Sequence, residues 1–333
     1  MRAFFARSSL PYLLAAVLGI VVGCLGKVLP SPRVPTAPPR LAVSGITAST
    51  LDLASVIASA PDGAVVELPD GEYRIAPIRV EGRSLTLRAA PGATPRLRSA
   101  GGRRWDALLS CDRNLTLVGI DLAGEEDALA PLVLVEGGTV RLEGCKLAQR
   151  GASPAVSLRR GAKVELERCE VSAMAQAVAV ELGADLCAVR LDHSRLEVRD
   201  PAGPALLLWC PETDRAARAE VRLGDCDIVA GRVVACRGVG GAVLVTAEGN
   251  RLAFRQALVS VDGCGTDDWR RVLNYAGREN RHDAAGAWLR LEGSPANVWT
   301  EQAWTALWPT EPSRAEKFVP GRHESSLRFG TGR

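Results

Sequence analysis

Aromatic residues are scarce in this chain, at 5% of the sequence. So are histidine, with 3, and methionine, with 2. Three histidines leave little material for His-rich metal centres or for His-dependent triads. A surplus of one charge is also missing, since 41 Lys and Arg against 38 Asp and Glu leave +3. That balance argues against a strongly basic nucleic-acid binder, and no nucleic-acid partner is expected. No G-x-S-x-G, Walker A or H-E-x-x-H pattern occurs, and no C-x-x-C spaces the nine cysteines for zinc. Gly238-Val-Gly-Gly is a turn between strands rather than a phosphate loop, because no helix follows it. What remains is a globular composition, 47% hydrophobic and 24% charged, with 33 Gly among the 333 residues.

No acidic residue precedes Asp52. Arg2 and Arg7 stand before an uncharged run from Ser8 to Gly26, the pattern that an export machinery reads. Three outcomes stay open for residues 1–29. An uncleaved anchor needs roughly 17–25 apolar residues, which Leu10 to Leu29 supplies if Lys27 snorkels to the interface. A lipoprotein signal is the second, because Val21-Val22-Gly23-Cys24 resembles a lipobox in which Cys24 is lipidated. A cleaved signal peptide is the third. Residues 30–44, with Pro30, Pro32, Pro35, Pro38 and Pro39, read as a stiff spacer. The expectation is a domain held at a membrane on its extracytoplasmic side, in the periplasm or at the cell surface.

From residue 110 the chain repeats. Segments beginning at Leu115, Val140, Val164, Val189, Val221 and Val245 align, as in Val140-RLEGCKLA and Val164-ELERCEVS. Their starts lie 25, 24, 25, 32 and 24 residues apart, and the long interval holds an inserted Cys210-PETDRAARA. A period in the twenties signals a solenoid. Within each unit the residues alternate, Val140 in, Arg141 out, Leu142 in, Glu143 out, and no 3.6-residue pattern fits between units. Three short strands per coil of about 24 residues make an all-β, single-stranded parallel β-helix. Val140, Val164, Val189, Val221 and Val245 form one inward column, and Leu142, Leu166, Leu191 and Leu223 the next. A corner column runs Ile120, Cys145, Cys169, Ser194, Cys226, Asn250.

The stretch from Leu51 resembles the opening of a pectin-lyase-like right-handed β-helix of a membrane-anchored bacterial type. It shows an amphipathic segment (Leu51, Leu53, Val56, Ile57), the turns Pro61-Asp62-Gly63 and Pro69-Asp70-Gly71, and Leu85-TLR. The resemblance implies an N-terminal cap helix and a β-helix over residues 45–265. The superfamily spans lyases, hydrolases, adhesins and inert scaffolds, so it is nearly silent on activity.

Four sets of residues are candidates for chemistry. Glu143, Glu167 and Asp192 fall at matching outward positions, next to a row containing Arg190. They read either as a Ca²⁺ site with an arginine base acting on an acidic polysaccharide or as a solvated face of neutralising charges. Cys145 and Cys169 are either buried thiols or a bridge between neighbouring coils. Asp267-Asp268 lies beyond the last coil, and His193, His282 and His323 read as solvated. Residues 266–333 hold five of the seven tryptophans. This tail is either an aromatic cap over the open sheet edge or, through Trp299, Trp304 and Trp308, a platform for sugar rings. The leading reading is a non-catalytic scaffold or binding module, with carbohydrate as the ligand class and no cofactor. The alternatives are a polysaccharide lyase or glycoside hydrolase, and a sensor whose signalling partner is another chain.

Overall fold

The computed structural model describes residues 40–42, 53–100, 106–126, 128–211, 217–263, 269–292 and 298–307. The apolar segment 1–29 with Cys24 lies outside them, as do most of the linker, Cys264, Asp267-Asp268, Trp308 and His323. Among the described residues no helix is long and apolar enough to cross a membrane.

The chain coils through three faces. The first face is a ten-stranded sheet that starts with Arg40–Ala42 and Ala64–Leu68 and ends with Leu273–Arg278. The second face runs from Glu72–Ile75 to Arg281–Ala284, and the third from Ile78–Val80 to Ala287–Leu291. Successive coils pair in parallel. Val140, Val164, Val189, Val221 and Val245 are in register, and Leu142, Leu166, Leu191 and Leu223 beside them. Both columns are buried, because alternation along each strand sends every second side chain inward. The 32-residue interval leaves register intact: Arg218–Gly224 follows the insertion and still pairs with Leu186–Asp192.

Two expectations change. Three short strands per coil hold for most coils, but Asp227–Arg237 and Arg251–Asp262 each run through the corner between the second and third faces. Their pairing shifts between Ala230 and Arg232, which is how a continuous strand turns the corner. The coils also continue past residue 265. Leu273–Arg278, Arg281–Ala284 and Ala287–Leu291 stack in parallel on the coil before them and make a complete further coil.

Both ends are covered. At the start, the helix Leu53–Ser59 buries Leu53 and Ile57. Arg83 donates to the carbonyls of Ile57 (2.9 Å), Ala58 (3.0 Å) and Ala60 (2.7 Å) at the helix C-terminus, where backbone carbonyls run out of helical partners. At the far end, Val298–Trp299 pairs antiparallel with Ala287–Leu291 and the helix Glu301–Leu307 follows.

The corner between the first and second faces is uniform. Gly119, Gly144, Arg168, His193, Asp225, Gly249 and Glu279 all have positive φ, between 50° and 69°. Each precedes one buried residue of the column Ile120, Cys145, Cys169, Ser194, Cys226, Asn250 and Asn280. The left-handed residue swings the chain through the bend and turns the next side chain inward.

On the second face a further row carries a pattern that the sequence does not announce. Glu72, Arg96, Asp121, Lys146, Glu170, Arg195, Asp227 and Arg251 stand in register on eight successive coils, alternating in sign throughout. Arg281 follows as a ninth member and breaks the alternation.

Candidate functional site

Glu143, Glu167 and Asp192 do stand in register on the first face, but guanidinium groups hold all three. Arg141 donates to Glu167 at 2.8 Å and lies 3.7 Å from Glu143. Arg168 binds both Glu143 and Glu167. Arg190 donates to Asp192 at 2.6 Å, a hydrogen bond that raises the arginine's pKa further. A base must lose its proton readily, so Arg190 is tuned the wrong way for that task. The column is interrupted at Gly224, which pairs with Asp192, and resumes at Glu248, which Arg278 holds. These four residues form a charge-neutralised ladder, and a cavity of about 330 Å³ lies over Glu167, Arg190 and Asp192. Among the described residues no group of three or more His, Cys, Asp and Glu side chains is gathered to hold a metal ion.

Of the three tryptophans of the expected platform, Trp308 lies outside the described residues. Trp304 is fully buried, 4.8 Å from Tyr275 and 6.0 Å from Trp288 between ring centres. Trp299 is half-buried and meets Trp269 edge-on at 5.3 Å. The two rings seal the last coil, where an open apolar end would aggregate. His282, expected in solvent, is buried against Trp288, with ring centres 4.3 Å apart. Cys145 and Cys169 are free thiols, as are all seven described cysteines. Their Sγ atoms donate to the carbonyls of Leu117 (3.4 Å) and Leu142 (3.3 Å). The hydrogen bond to Cys169, together with burial, pushes the Cys145 thiol well above its usual pKa.

The third face carries the arrangement best suited to a ligand. One row of it reads Arg79, Ser110, Leu134, Ser157, Ala179, Leu207, Ala235, Ser260, Arg290, in register from coil to coil, with Leu134, Ala179, Ala235 and Ser260 buried and Ser110, Ser157 and Leu207 half-buried. Between the two arginines no member of the row titrates. From Ser110 to Ser260 the six coil steps span about 29 Å at about 4.8 Å each. Towards the C-terminal end the floor opens into a cleft of about 390 Å³ over Leu207, Ala235 and Ser260.

One wall of this groove is the neighbouring outward row, in which Glu181, Trp209, Arg237 and Asp262 follow in register. Glu181 is held by Arg159 at 3.1 Å and Asp262 by Arg237 at 3.8 Å. Trp209 is half-buried there, with charged residues before and after it. The opposite wall is made of stacked turns. A Cβ on Gly203 would lie 2.3 Å from the Ala175 carbonyl oxygen, and one on Gly231 2.4 Å from that of Pro201. These glycines let the turns approach each other directly, and Asp200 stiffens the turn by accepting from Ala202 N–H at 2.9 Å. Arg232 closes the C-terminal end, 3.5 Å from Glu292, with its Nε donating to Gln256 at 3.1 Å.

None of the residues singled out from the sequence lines this groove. Its signal was present in Pro204-ALLLWC, where alternation from the inward Leu206 and Leu208 sends Leu207 and Trp209 outward. A single tryptophan among aliphatic residues stands out less than the five clustered in the tail.

No protein-family model matches the chain, and no curated protein matches it. Two solved structures do, both of pectin methylesterase from Aspergillus niger. The deglycosylated form is 13% identical with a TM-score of 0.52, over 83% of this chain and 97% of that one. The penultimately deglycosylated form is 13% identical with a TM-score of 0.51, over 81% and 93%. At that identity the likeness is one of fold, and the chain has the pectin-lyase-like right-handed parallel β-helix fold.

Proposed function

We propose that this chain is a non-catalytic module, tethered to a membrane by its N-terminal segment, which binds a linear polysaccharide along its third face outside the cytoplasm. One observation carries the reading: the floor row from Ser110 to Ser260 crosses seven coils without a titratable side chain. Glycan hydrolysis or elimination needs carboxylates, or a carboxylate and a base, converging on one bond. Here the wall carboxylates Glu181, Asp262 and Glu292 are each paired with an arginine, and Asp200 accepts from Ala202 N–H within its own turn. The half-buried Ser110, Ser157 and Leu207 instead offer hydrogen bonds and flat contact, and the Trp209 ring offers a stacking surface beside them.

A second reading, an enzyme acting on such a polymer, draws on the similar structures, which are named for pectin. It supports the ligand class, while the floor row weighs against catalysis. A role as the sensing part of an assembly, signalling through another chain, fits the same groove and tether.

The test is titration of the full chain with homogalacturonan, methyl-esterified pectin and peptidoglycan fragments by calorimetry. Binding of at least one polymer is expected, with Trp209→Ala weakening it about tenfold or more at unchanged melting temperature, given about 1–3 kcal/mol for aromatic contacts in such sites. Equal affinity in wild type and variant sinks the groove. Release of methanol, reducing ends or unsaturated products sinks the non-catalytic reading.

A further inference from the structure

The alternating row on the second face has an even number of members, and that parity has a consequence. Set a second copy against the face by a half-rotation about an axis that lies in the plane of contact, parallel to the strands and midway between the levels of Lys146 and Glu170. The row then meets itself reversed. An odd alternating row would oppose like charges, whereas an even one opposes unlike charges at every level. Lys146 comes against Glu170, Asp121 against Arg195, and so outward to Glu72 against Arg251.

The adjoining outward row fits the same operation. Its centre is short, with Ala148 and Ser172 in register, so two faces can approach closely. At one end it carries Arg74 and Arg98. At the other end, a cleft of about 410 Å³ opens over Val229 and Ala253, bounded by Glu197 and Asp283. The half-rotation places Arg98 of the second copy at the level of Val229, and Arg74 of that copy at the level of Ala253. Each arginine stem then covers an apolar floor, and each guanidinium lies one coil from a carboxylate.

We infer that the second face is a self-recognition surface on which two copies of this chain pair antiparallel as a two-fold dimer. Pairs within one chain are long, 3.5 Å for Arg96–Asp121 and 3.6 Å for the exposed Lys146–Glu170. They leave hydrogen-bonding capacity for a partner. Eight coils at about 4.8 Å and a strand width of about 13 Å bury roughly 1,000 Å² over both copies. That lies at the low end for a specific interface, so the dimer is weak, micromolar and sensitive to salt.

Sedimentation velocity of the full chain tests this, in detergent-containing buffer with the detergent's mass accounted for. Wild type is expected to dimerise at tens of micromolar in about 50 mM salt and to dissociate in about 500 mM. Lys146→Glu and Glu170→Lys should each weaken self-association about tenfold or more, because each opposes like charges across the axis. Mixed in equal amounts, the two variants should form a one-to-one heterodimer. The carboxylate introduced at position 146 of one chain then faces the ammonium introduced at position 170 of the other, and the two unsubstituted residues of this pair oppose each other as in the wild type. Rescue in trans cannot arise from repair within one chain. A wild type that stays monomeric at low salt overturns the inference, as does association unchanged by either substitution or a mixture that does not associate. Glycan titration reads the third face separately, so the failure of one proposal is distinguishable from failure of the other.

Discussion

At the scale of single residues, the corner ladder shows how polar groups enter this core. Asn250 Oδ1 accepts from Cys226 N–H at 2.8 Å, while its Nδ2 donates to Leu223 O at 3.0 Å and to Asn280 Oδ1 at 2.8 Å. Ser194 does part of the same task two coils earlier, accepting from Cys169 N–H at 3.0 Å and donating to Asp192 O at 2.9 Å. A tight bend breaks the regular ladder of backbone hydrogen bonds, and these side chains restore partners that burial would otherwise deny. Asn250→Ala is therefore expected to cost about 2–3 kcal/mol, because it strands several buried groups at once. Asn250→Ser should cost less, since a hydroxyl already serves at residue 194. Urea unfolding of the three proteins checks this, and a loss below about 0.5 kcal/mol for the alanine variant contradicts the account. The corner was half legible in the sequence. The recurring Cys, Ser and Asn marked a small inward position, but Arg168, His193, Asp225 and Glu279 gave no sign of their left-handed backbone. Their side chains point to solvent and are unconstrained by the bend that their φ makes.

At the scale of elements, the two ends decide whether the solenoid stops cleanly. Thr300 starts the last helix, its Oγ1 accepting from Ala303 N–H at 3.5 Å. That helix lays Trp304 across Tyr275 and Trp288. Trp304→Ala should cost about 3–5 kcal/mol, as removal of a fully buried indole does, and should expose the last coil. The expected result is a lower melting temperature together with concentration-dependent aggregation, read by light scattering during a thermal ramp. A soluble variant that melts within a degree or two of wild type contradicts the capping role. The tail's tryptophans were visible as a cluster, yet cap and platform share one composition. Only burial separates them, and burial depends on which coil the helix meets.

At the scale of the whole molecule, one long core holds all seven described thiols. Burial pushes the Cys111 thiol up to about 12 and the Cys226 thiol up to about 11, and it raises Cys187 as well. An unfolded thiol titrates near 9.0. Below that pH both states keep their protons, and the stabilisation is fully present. Above it the unfolded chain releases protons that the folded chain retains, so stability falls as pH rises towards the folded values. The melting temperature is expected to drop progressively from about pH 9 to pH 11, at up to about 1.4 kcal/mol per pH unit for each thiol. Calorimetry across that range checks it, with Cys226→Ala giving a shallower slope. A melting temperature that stays level through pH 11 removes the argument.

Periodicity by itself determined the architecture. A stacked coil forces identical positions to share one environment, so a repeat of about two dozen residues with alternating burial already specifies the faces, the columns and the register. The same logic could not rank the faces, because every face alternates. Which outward row is uncharged, which wall carries Trp209 and how many members the alternating ladder has depend on the exact coil boundaries. Those boundaries are set by turns of unequal length and by two strands that run through a corner, and they emerged only when the coils were laid one upon another.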